Sequence, residues 1–100
     1  MNLNLNYPQR EDSNILPNPE LTLDYINYAV KNSNPDGLSS DFRKIFSRIQ
    51  NKISVAIDNN ESEVNLEEAE KDLLKKSFEK AKFPAELSKF VVLLEEEINK

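Results

Sequence analysis

The sequence predicts a mainly α, compact four-helix domain with an extended N-terminal arm. Three observations predict it. Apolar residues recur at spacings of three and four through most of residues 21–98, and capping or turn residues interrupt them at helix-length intervals. A strict polar–apolar alternation occurs only at the N-terminal end. With 38% apolar and 31% charged residues in 100, the chain suits one soluble domain with one core. Residues 1–20 are read as the arm and 21–100 as a single helical domain, with helices over 22–33, 40–58, 66–82 and 84–99.

In the arm, residues 2–7 alternate Asn with Leu or Tyr, the period of a half-buried strand. Pro8 ends that run and residues 9–14 are polar. Pro17 and Pro19 exclude helix around them. Leu3, Leu5, Tyr7, Ile15 and Leu16 favour an arm docked on the helices, with room for a minor β-hairpin, over a frayed tail. Val64 is a candidate pairing partner.

Helix 1 is expected to start at Thr22 as N-cap, with Asp24 in its first turn, and to bury Leu23, Ile26, Ala29 and Val30. Asn34-Pro35-Asp36-Gly37 then carries the preferences of a type I turn. Helix 2 starts at Ser39 or Ser40, and its stripe of Phe42, Ile45, Phe46, Ile49, Ile53, Ala56 and Ile57 marks an inner face. Asn59 or Asn60 suits the left-handed position after its last turn. Asn65 and Glu68 form a capping box for helix 3, with Val64 and Ala69 at the staple positions. The face of helix 3 is Leu66, Ala69, Leu73, Leu74, Ser77, Phe78 and Ala81. Pro84 opens helix 4, which uses Leu87, Phe90, Val91, Leu94 and Ile98. Val92 and Leu93 widen its apolar face, so it is expected either to be central or to meet a second copy.

Histidine and cysteine are absent and Gly37 is the lone glycine. Imidazole- and thiolate-based metal sites, His triads, Cys nucleophiles and glycine-rich phosphate loops are therefore excluded. No catalytic, cofactor-binding or metal-binding residue is assigned. Six carboxylates, Glu61, Glu63, Glu67, Glu68, Glu70 and Asp72, gather around the start of helix 3. Glu63/Glu67 and Glu68/Asp72 are four apart, a spacing open to a hard cation or to acid–base work. Their simpler reading is a solvated helix start that complements the dipole.

Arg43, Lys44, Arg48 and Lys52 form a basic outer face on helix 2, a candidate anion-binding surface. The net charge of −5 and the absence of interleaved aromatics disfavour nucleic acid as its partner. Helix 3 runs from acidic to basic, ending in Lys75, Lys76, Lys80 and Lys82, a polarity suited to a polar partner or a second copy. Tyr28 falls off the helix 1 stripe and is a candidate interface anchor. With it, Glu67, Glu68, Glu70, Val92 and Leu93 complete the candidate interface.

The layout resembles that of short bacteriophage accessory proteins. The resemblance rests on the N-terminal segment running into Leu21-Thr22-Leu23, on Val64-Asn65-Leu66-Glu67 followed by Glu70 and Leu73-Leu74, and on the closing helix from Leu87 to Ile98. It implies a phage or prophage protein acting in a bacterial cytoplasm, and it carries over no functional residue. The N-terminal seven residues lack the charged and apolar regions of a signal peptide, and the longest apolar run is five residues, so no membrane partner is expected.

The leading expectation is a non-catalytic protein–protein interaction module, a phage accessory factor or an inhibitor of a host protein. In that case the acidic cluster is able to imitate nucleic acid. One alternative is nucleic-acid or nucleotide binding through the basic face of helix 2. The other is a carboxylate-based metal site or enzyme.

Overall fold

The computed structural model describes residues 1–5 and 18–100, apart from the side chain of residue 89. The readings made for Tyr7, Pro8, residues 9–14, Ile15, Leu16 and Pro17 lie outside the described residues. Among the described residues, four helices and one two-stranded sheet follow in the order β1 (Asn2–Asn4), α1 (Pro19–Ser33), α2 (Ser40–Asp58), β2 (Glu63–Asn65), α3 (Glu68–Lys80) and α4 (Ser88–Ile98).

Helix α1 begins three residues before the expected Thr22. Proline at the first helical position gives up only an N–H that had no partner there, so Pro19 opens the helix instead of excluding it. Asn18 is the cap, its Oδ1 accepting the Leu21 N–H at 2.8 Å, and Glu20 is the first-turn acid. Thr22 is then free for another role. It is fully buried, and its hydroxyl donates to the Leu5 carbonyl at 3.4 Å. After α1, the Gly37 N–H closes the turn on the Asn34 carbonyl at 3.0 Å, with Gly37 at φ +95°.

Helix α2 has its expected bounds, with the Ser39 hydroxyl accepting the Phe42 N–H at 3.4 Å. Asn60 takes the left-handed conformation after it, at φ 56°. The inner stripe is buried at Ile49, Ile53 and Ala56, and Ile45, Phe46 and Ile57 pack partly against the core. Phe42 departs from the expectation and is 46% exposed.

Strands β1 and β2 pair antiparallel, with Leu3 opposite Val64 and both side chains buried. Bonds from Leu5 N–H to the Ser62 carbonyl and from Leu66 N–H to the Met1 carbonyl, each 2.7 Å, extend the ladder at both ends. Leu3 and Leu5 are fully buried, so the described part of the arm is part of the core.

The same ladder moves the start of α3. Asn65 and Leu66 are held in the sheet, so Glu67 becomes the cap and the box shifts two residues to Glu67 and Glu70. The Glu67 N–H donates to Glu70 Oε1 at 2.8 Å. Leu66, Leu73, Leu74, Ser77 and Phe78 are buried as expected, whereas Ala69 is exposed. The helix ends at Lys80, where the chain turns extended and Lys82 gives its N–H to Asn32 Oδ1 at 2.8 Å.

No residue from 82 to 84 offers a side-chain oxygen as a cap, and α4 does not start at Pro84. A single 3₁₀ turn, Ala85–Leu87, leads into it, closed by Leu87 N–H on the Pro84 carbonyl at 3.0 Å. Phe83 joins α1 and α3 here. Its ring centroid lies 4.9 Å from Tyr28 and 6.2 Å from Tyr25, and it stacks on Phe78 at 5.8 Å. Tyr25 also meets Phe90 at 4.7 Å, and burial, with the nearby Asp24 charge, raises its phenol above the usual 10.0.

Helix α3, not α4, is central. It packs on α1, α2 and α4, whereas α4 packs mainly on α3 and β1 and touches α1 through the Tyr25–Phe90 contact. Phe90, Val91, Leu94 and Ile98 fill the core side of α4, Leu93 is partly covered and Val92 is 42% exposed. Glu97 is buried at the sheet edge, where its Oε1 accepts the Asn4 N–H at 3.3 Å and its Oε2 the Lys100 ammonium at 2.8 Å.

Candidate docking groove

Two of the charged clusters read from the sequence meet in one ion pair. Lys52 turns inward from the basic face of α2 and places its Nζ 2.6 Å from Glu70 Oε1 and 3.0 Å from the Asn65 carbonyl. Glu70 is completely buried, and its Oε2 has no hydrogen-bond partner among the described residues. Lys52 thus leaves the candidate anion-binding set and Glu70 leaves the candidate interface, because a carboxylate at zero exposure presents nothing to a partner. The pair fastens α2 to α3 next to β2.

The remaining candidates lie apart. Arg43, Lys44 and Arg48 stay exposed on α2 around a shallow open hollow that includes Ser40 and Ser47. Arg43 is partly committed, donating from Nη1 to the Leu38 carbonyl at 2.7 Å. Glu67 and Glu68 are exposed at the start of α3. Glu63 is in β2, so its four-residue spacing to Glu67 puts no two carboxylates on one helical face. Among the described residues, no group of three or more acidic, His or Cys side chains is placed to hold a metal ion. Tyr28 is 42% exposed but already occupied, with its ring on Phe83 and its hydroxyl donating to the Lys82 carbonyl at 3.2 Å. Val92 and Leu93 lie on α4, away from these groups in the chain.

A groove the sequence reading missed lies between α2 and α3. It encloses about 360 Å³. Phe42 and Ile45 from the start of α2 form one side, and Ala69, Leu73 and Ser77 of α3 form the floor and the other side. Ser33 and Asn34 close the end where α1 stops. Asp72, Lys76 and Lys80 stand along the α3 rim. Phe42 gives the groove its exposed aromatic, and Leu73 beneath is buried. Neither Lys76 nor Lys80 makes an ion pair among the described residues.

The one sequence signal for this groove is the α3 series 69, 72, 73, 76, 77, 80. It runs at helical spacing and alternates small or apolar residues with charged ones. A face that is neither fully apolar nor fully charged reads as a boundary between core and solvent, and the second wall cannot be seen from it.

No helix among the described residues is long and apolar enough to cross a membrane. No protein-family model, curated protein or solved structure matches the chain. The resemblance to phage accessory proteins accordingly rests on chain layout alone.

Proposed function

We propose that this protein is a non-catalytic protein-binding module that docks its partner on the groove between α2 and α3. The observation that carries the reading is Phe42. It belongs to the apolar stripe of α2, yet it stands 46% exposed on the wall of a concave, apolar-floored groove. Large aromatics beside a pocket are where protein interfaces concentrate binding energy, and it is the concave setting, not the exposure alone, that sets Phe42 apart from the equally exposed Val55. Nucleotide or nucleic-acid binding through α2 has less support. One of its four cations is consumed by Glu70 and a second is bonded to Leu38, while the chain carries −5 overall.

Amine-reactive cross-linking in a lysate of the native cells tests this, with mass spectrometry to locate the linked lysines. Wild-type protein should form inter-protein links concentrated at Lys76 and Lys80, and Phe42→Asp should lose them. That substitution places an acid in the first turn of α2, where the helix dipole favours it, so the fold should survive. Links spread evenly over the surface lysines, or links indifferent to Phe42→Asp in a folded protein, would overturn the proposal.

A further inference from the structure

Resting on that reading, we infer that the groove takes an acidic, amphipathic helical segment of the partner, about three turns long. The α3 wall supplies the length. From Ala69 to Lys80 it presents one continuous face over twelve residues, which at about 1.5 Å per residue is roughly 17 Å. Its floor is apolar, so the occupant must bring apolar residues at i, i+4 and i+7 to meet Phe42, Ile45 and Leu73.

Charge decides the flanks. Lys76 and Lys80 lie one turn apart at one end of the rim, with no ion pair among the described residues, and Asp72 is the rim's single acid. On the turn of α2 that carries Phe42, the exposed Arg43 and Asp41 offset one another, so the rim lysines of α3 set the sign. A segment with carboxylates beside its apolar stripe meets this rim with complementary charge. A basic segment would meet two cations against one acid. The chain as a whole is acidic, so the groove is a local reversal of its sign.

Selection from a displayed library of helix-stabilised peptides on the intact protein tests this directly. Enriched sequences should carry the apolar spacing with an excess of Asp and Glu beside it. Lys76→Glu with Lys80→Glu should weaken them by about tenfold or more at low salt. The same double variant, used as bait, should enrich Lys- and Arg-rich sequences instead. Phe42→Asp should abolish binding of both sets.

Enriched peptides that need Phe42 but show no acidic excess would overturn this inference and leave the docking site standing. Binders indifferent to Phe42, or no enrichment over repeated rounds, would overturn both. Concentration-dependent dimerisation of the wild type in sedimentation, lost in Lys76→Glu with Lys80→Glu, would make a second copy the occupant and overturn the inference.

Discussion

Replacing Lys52 with methionine removes one half of the α2–α3 ion pair while keeping the length of the side chain. Glu70 would then be a buried carboxylate whose remaining donor among the described residues is the Glu67 N–H at 2.8 Å, with Oε2 unpartnered among them as well. Breaking a buried pair from one side costs about 3–5 kcal/mol. The Lys52 side chain is 32% exposed, so solvent screens the pair and the low end, about 3 kcal/mol, is expected at neutral pH. For a domain of this size that is a fall of roughly 10–20 °C in melting temperature. Adding Glu70→Gln removes the stranded charge and keeps an acceptor for the Glu67 N–H. The double variant should therefore recover about 2 kcal/mol despite its additional mutation. Urea and thermal unfolding followed by circular dichroism measure both. A Lys52→Met protein within about 0.5 kcal/mol of wild type would show that the pair behaves as a surface contact. A double variant no more stable than Lys52→Met would refute the stranded-charge argument itself.

Two further substitutions test the edges of the fold. Glu97→Ala removes the carboxylate that accepts the Asn4 N–H, so hydrogen exchange at Asn4 should quicken by about fivefold, matching a loss of about 1 kcal/mol. The Leu5 amide, bonded to Ser62, should change less, and equal acceleration at both would mean that the whole strand had detached. Glu95 has its carboxyl raised above the ordinary 4.5, first by burial and then by the charge of Glu79. A carboxyl raised on folding favours the fold when protonated and opposes it when ionised, and the penalty grows as pH rises through and above the ordinary value. Glu95→Gln should therefore raise the melting temperature near pH 7 and leave it unchanged near pH 3. A gain of equal size at both would point to packing instead of charge.

Helix faces were legible in the sequence because burial follows the 3.6-residue period. Ile49, Ile53, Leu73, Leu74, Phe90 and Leu94 all lie inside as that period requires. Helix ends were legible only where nothing distant competed for them. Ser39 caps α2 as its local sequence indicates, but Asn65 has the right side chain for a cap and is held in a ladder with residues more than sixty positions away. Pro19 misled in the opposite direction, since the same ring that forbids a helix interior is at home in its first turn. Among charged groups the sequence could not separate solvated from buried. Glu70 looks like its neighbours Glu67 and Glu68, and its burial depends on Lys52 arriving from another helix.

The position of the groove follows from register, which periodicity does not carry. Lys52 and Glu70 set α2 and α3 side by side, and the helices run antiparallel, since the start of α2 lies along the later turns of α3. Counting outward from that pair, Phe42 is ten residues before Lys52 and Lys80 is ten residues after Glu70. Phe42 is thus level with the last residue of α3. Any apolar residue placed there by the stripe of α2 has no further turn of α3 to cover it. With the register fixed by the ion pair, the 19 residues of α2 outrun the 13 of α3 by two residues on this side and four on the other, so Phe42 sits where cover from α3 ends. Shortening α2 by a turn would remove the exposed aromatic at no loss to the buried set Ile49, Ile53 and Ala56. The added turn contributes a groove wall more than it contributes core, which is the physical reason to read the α2–α3 end of the molecule as its binding face.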